Sequence, residues 1–68
     1  MTPRIRINGK DEALAAATVA ELLAARGIVR PRGVAVAVNG AVVPSARWPE
    51  VRLAAGDEIE IVRPFGGG

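Results

Sequence analysis

The residues with which this chain could do chemistry are few: Lys10, Ser45, Thr2, Thr18, eight Arg and seven carboxylates among 68 residues. Cys, His and Tyr are absent. That composition excludes a thiolate nucleophile, a disulfide framework and a Cys-type zinc site, and it removes the commonest general base and metal ligand. No pair of residues offers a nucleophile with a base. The expectation is a binding or carrier domain and not an enzyme, with no metal and no bound cofactor. One reactive group remains. The sequence closes on Pro64-Phe65-Gly66-Gly67-Gly68, and a terminal glycine carboxylate has no side chain beside it, so its acyl carbon can be reached from either face. A free carboxylate resists nucleophiles until one oxygen becomes a leaving group. A mixed anhydride with AMP does this, after which a sulfur or nitrogen nucleophile can take the acyl group. The domain would supply a handle and a recognition surface, and an activating enzyme would supply the catalysis.

A body is needed to present such a tail, and composition bounds it. A chain of this length forms one small domain that buries only ~60% of its unfolded surface. Twenty-one large apolar residues, nine of them Val and five Ile, are enough for a core without staples. The net charge is +2. The sequence pI of about 10.5 misleads, because without His or Cys little titrates between the carboxylates and the basic groups. The arginines run from Arg4 to Arg63 with acids between them. That spacing lacks the dense basic stripe of a nucleic-acid binder. No apolar run approaches the ~20 residues of a membrane span, and the start of the chain lacks a signal peptide's apolar region. These absences set the expectation of a cytoplasmic protein with neither nucleic acid nor membrane as partner.

The elements follow from period. Arg4-Ile5-Arg6-Ile7-Asn8 alternates charged and apolar residues, as a strand with one buried face does. Asn8-Gly9 then predicts a hairpin through a type I′ turn, with a short return strand within Lys10 to Leu14. Thr18 followed by Glu21 matches a capping box, so a helix of at most three turns starts there. It buries Val19, Leu22 and Leu23 and stops at Arg26-Gly27. After an Arg30-Pro31-Arg32-Gly33 loop, Val34-Ala35-Val36-Ala37-Val38-Asn39 reads as a central strand, apolar on both faces. Its Val face suits the helix. Its Ala face, carrying Ala35 and Ala37, leaves an apolar surface on the other side of the sheet and is the candidate docking face. Asn39-Gly40 leads into Ala41-Val42-Val43, which Pro44 stops. Ser45 to Arg52 is irregular, with Trp48 as a loop anchor. Gly56-Asp57 reads as a register-setting turn and not a metal site, and Glu58-Ile59-Glu60-Ile61-Val62-Arg63 is the last strand. The arginines form a solvated face, some of which could meet acidic patches on an activating enzyme.

A hairpin, a helix across one face and a second set of strands make an α+β roll, the β-grasp: a mixed sheet of four to five strands packed on one main helix. Residues 1–64 would form the domain and residues 65–68 a flexible glycine tail. Over nearly its whole length the chain resembles the ThiS family of ubiquitin-like sulfur carriers in thiamin biosynthesis. The pieces that carry the resemblance are Ile5-Arg6-Ile7-Asn8-Gly9, Thr18-Val19-Ala20-Glu21-Leu22-Leu23, Val36-Ala37-Val38-Asn39-Gly40 with Val42-Val43-Pro44, and Trp48 with Leu53. Gly56-Asp57-Glu58-Ile59-Glu60-Ile61-Val62 and the Gly67-Gly68 end complete the set.

The resemblance implies that Gly68 is adenylated with ATP by a ThiF-type enzyme and converted to a C-terminal thiocarboxylate. Its sulfur would originate in a desulfurase system and pass to a ThiG-type thiazole synthase. Phe65, Gly66 and Gly67 would thread the partner's active site. Two departures stand out. The family commonly has Arg directly after the Val-Pro of the second hairpin, where this chain has Ser45-Ala46-Arg47, and Phe65 with a third glycine precedes the end. A MoaD-type carrier for molybdopterin synthesis and a non-covalent β-grasp interaction module are the alternatives.

Overall fold

Two Asn-Gly dipeptides organise the sheet. In the computed structural model, which describes residues 2–28 and 32–63, Asn8 (φ 52°) and Gly9 (φ 82°) both lie in the left-handed region, as do Asn39 (51°) and Gly40 (85°). A type I′ turn demands positive φ at both central positions, and Asn followed by Gly supplies it at least cost. The first turn joins β1 (Arg4–Ile7) to β2 (Lys10–Ala13), with Ile7 facing Lys10. The second joins β3 (Ala35–Val38) to β4 (Ala41–Val43), with Val38 facing Ala41.

The last strand, β5 (Glu58–Val62), enters between the two hairpins and completes a five-stranded sheet in the order β2-β1-β5-β3-β4. It runs parallel to β1 and antiparallel to β3. β3 lies between β5 and β4, an interior strand as its doubly apolar pattern suggested, while β5 is the middle of the five. Among the described residues the sheet is covered on one side only, so even its middle strand alternates apolar and charged residues.

α1 (Val19–Ala25), the single α-helix among the described residues, covers the inner side. Seven residues cannot hold a helix in isolation, so its stability comes from packing and from its ends. The N–H groups of its first turn are all taken. Val19 donates to the Val51 carbonyl (3.0 Å), Ala20 to Trp48 (3.2 Å), Leu22 to Thr18 (3.0 Å), and Glu21 to the Thr18 hydroxyl. At the other end Gly27 (φ 79°) donates to the Ala24 carbonyl and Ile28 to that of Leu23, the two bonds of a Schellman motif. Ile28 and Leu23 are both buried, which adds the apolar contact that accompanies it.

Val19, Leu22 and Leu23 meet Ile5, Ile7, Val36, Ile59 and Ile61 from the inner side of the sheet, with Trp48 and Leu53 closing the core. Each fully buried aliphatic side chain contributes about 1.5–3 kcal/mol relative to exposure. Ser45–Arg47 forms one 3₁₀ turn after Pro44, and it delivers Trp48 to the core with its indole N–H donating to the Val43 carbonyl at 2.9 Å. Asp57 serves the turn before β5, as its pattern implied: its carboxylate accepts from the Ala54 N–H (2.8 Å) and from the Asn39 side-chain amide (3.0 Å). No helix among the described residues is long and apolar enough to cross a membrane.

Candidate functional site

Among the described residues, the outer side of the sheet carries no helix. Register decides which side chains stand on it, because residues directly opposite share a face. Ala35 faces Val62, Ala37 faces both Glu60 and Val42, and Arg6 faces Glu58 and Asp11. The outer face is therefore a floor of Ala35 and Ala37 flanked by Val42 (75% exposed) and Val62 (63% exposed). Ala35, Ala37, Glu58, Glu60, Val62 and Asn8 line a depression there of about 610 Å³.

The charge on this face was not visible from the β3 pattern alone. Arg4 pairs with Asp11 at 2.9 Å and Arg6 with Glu58 at 3.8 Å across one flank. Glu60 takes part in none of the ion pairs among the described residues. Two of the arginines expected to form a solvated face thus engage acids of this same sheet. Exposed pairs of this kind are worth less than about 1 kcal/mol, and their main effect is to set the local sign of charge. Near the alanine floor Arg6 offsets Glu58, so the negative sign comes from Glu60. The signal that could have revealed it was the shared period of β3 and β5, had their register been known.

Arg26 pairs instead with Glu12 (3.1 Å), and Arg47 with Glu50 (3.2 Å) in the loop after the 3₁₀ turn. Arg47 of the Ser45-Ala46-Arg47 turn thus serves a local contact.

β5 supplies the floor's central charges and leads toward the glycines. Its last residue, Val62, precedes Gly68 by six positions. Gly68, Gly67, Gly66 and Phe65 lie outside the described residues, as do Arg30 and Pro31 of the loop expected before β3. The described part of the site is therefore the alanine floor, its acidic centre and the strand from which the tail continues. With small side chains, exposed valines and carboxylates, this surface is suited to binding a partner.

No curated protein matches the chain. Among solved structures it is similar to the thiamine biosynthesis protein ThiS from Geobacter metallireducens, with 29% identity and a TM-score of 0.78 over 96% of this chain and 99% of that one. The sequence model of the ThiS family matches residues 5–68, from the first strand through the final glycine. With the mixed sheet and the helix α1 packed on it, this shows a β-grasp protein, and the chain belongs to the ThiS family.

Proposed function

We propose that this protein is a sulfur carrier in thiamin biosynthesis and that Gly68 bears the cargo. The observation that carries this reading is the ThiS family match, which runs through Gly68. The chain's poor kit of side-chain chemistry agrees with it, since a carrier borrows its catalysis.

The Gly68 carboxylate attacks the α-phosphorus of ATP in the active site of a ThiF-type enzyme, and pyrophosphate leaves. In the acyl-adenylate the carbonyl carbon is electrophilic and AMP is a competent leaving group. With hydrosulfide as the simplest sulfur donor, attack at that carbon expels AMP and leaves a thiocarboxylate. A desulfurase system would supply sulfur in the cell, and a ThiG-type thiazole synthase would receive it. Phe65, Gly66 and Gly67 form the segment that enters the partner's cleft. The floor at Ala35 and Ala37 is the surface that docks on the activating enzyme.

Intact-mass spectrometry tests the proposal. Incubation with ATP, a ThiF-type enzyme and sulfide should add the mass difference of sulfur replacing one oxygen. An unchanged mass under conditions that modify an accepted carrier would overturn it. Restored growth without thiamin, as opposed to restored molybdenum-cofactor activity, identifies the pathway.

A further inference from the structure

β1 ends at Ile7, in register with Ile59 of β5, and the chain then turns away through Asn8-Gly9. The Asn8 N–H still reaches the Ile59 carbonyl at 2.9 Å. Two residues further along β5, Ile61 turns its own N–H and C=O to the same side, where no main chain of β1 is left to meet them. The Asn8 side chain takes that place. Its Oδ1 accepts from the Ile61 N–H at 2.8 Å and its Nδ2 donates to the Ile61 carbonyl at 3.2 Å. A carboxamide presents an acceptor and a donor side by side and so reproduces one peptide unit of the missing strand. Both contacts are half-buried and span 53 positions of sequence.

The other hairpin carries a counterpart. Asn39 donates its N–H to the Glu58 carbonyl (2.7 Å), accepts from the Glu58 N–H at Oδ1 (2.9 Å) and donates from Nδ2 to Asp57 (3.0 Å). One turn thus grips the start of β5 and the other its far end, nearest the glycines.

We propose that Asn8 is a positioning residue for the carrier reaction: by fixing the Ile61 peptide it sets the line along which the chain runs toward Gly68 in an activating enzyme. The inference rests on the carrier reading above. A misplacement of about 1 Å at a reacting group can cost roughly a hundredfold in rate. Ile61 precedes Gly68 by seven positions, the last three being glycine, so only part of that cost should follow from loosening the last tie to the β1 side among the described residues.

Asn39 supplies the control, since it holds the same strand at the end away from the tail. Glycine at either position keeps the positive φ and deletes only the carboxamide. The test is pyrophosphate release from ATP and a ThiF-type enzyme with the full-length N8G and N39G chains, at a temperature where circular dichroism shows both folded. The expected result is a roughly tenfold lower kcat for N8G with KM within about twofold. N39G should keep the wild-type kcat even where its Tm falls as far. N8D, which retains the acceptor and loses the donor, should lie between.

Equal kcat for N8G and N39G would make Asn8 a purely structural tie and overturn the proposal. A raised KM at unchanged kcat would also overturn it, by making Asn8 part of the docking contact. Absence of pyrophosphate release from the wild-type chain, under conditions where an accepted carrier reacts, would instead remove the carrier reading and this inference with it. That outcome is distinct because it leaves no wild-type rate to compare.

Discussion

Thr18 and Glu21 cap the helix between them: the Thr18 hydroxyl accepts from the Glu21 N–H at 3.2 Å, and the Glu21 carboxylate accepts from the N–H of Ala17 at 3.1 Å. In the usual capping box the carboxylate returns to the N-cap residue's own N–H. Here it lands one residue earlier. Beside it Thr18 forms an isolated antiparallel bridge with Arg52, with the Ala17 carbonyl accepting from Leu53 at 2.9 Å and Val19 donating to Val51. The chain enters the helix already extended against the Val51-Arg52-Leu53 segment.

Thr18→Ala removes the hydroxyl from a buried N-cap. The expected loss is about 1 kcal/mol. In a domain of this size that lowers Tm by roughly 4–8 °C, which thermal unfolding followed by circular dichroism will measure.

Trp48 separates packing from hydrogen bonding. Trp48→Phe keeps an aromatic ring but leaves the Val43 carbonyl without its indole donor, at a cost of about 1–3 kcal/mol. Trp48→Ala should cost about 3–5 kcal/mol. A single core of this size supplies only a few kcal/mol in all, so the Ala variant should be largely unfolded at 25 °C. Urea titration of both variants checks the ranking.

Ala35 is exposed on the outer face. Ala35→Arg should leave stability within about 0.5 kcal/mol, yet raise the KM for pyrophosphate release with a ThiF-type enzyme by roughly tenfold, about 1.4 kcal/mol of lost docking. An unchanged KM would move the docking surface elsewhere.

Deletion of Gly68 and the substitution Gly67→Ala probe the tail. Both should leave Tm unchanged within error. The deletion should abolish the mass gain with ATP and sulfide, and the added methyl at position 67 should slow it, since a Cβ must then pass a cleft shaped for glycine.

The turns and the helix start were legible because their chemistry is local. Asn8-Gly9 and Asn39-Gly40 state a φ requirement within two residues, and Thr18 states its role to Glu21 three positions on. Ile5, Ile7, Val19, Leu22 and Leu23 followed from period alone and are all buried. What could not be read was long-range. β5 has the alternation of any strand with one covered face, so its place between β1 and β3 left no mark in its own sequence. The grip of Asn8 on Ile61 depends on which strand arrives beside the turn, and so does the placing of Glu58 and Glu60 beside Ala35 and Ala37. Gly68 lies outside the described residues, and its proposed role rests on what a carboxylate without a neighbouring side chain can undergo.

The middle position of β5 also has a mechanical meaning. Ladder hydrogen bonds lie across the strands, so a pull applied along β5 loads its bonds to β1 and to β3 in shear and all together, and cannot peel them apart one by one. A partner that drew on the tail would meet two ladders and the Asn8 amide acting in concert. A tail leaving from an edge strand would have only one such ladder behind it, so the topology makes this strand the firmest handle the domain can offer.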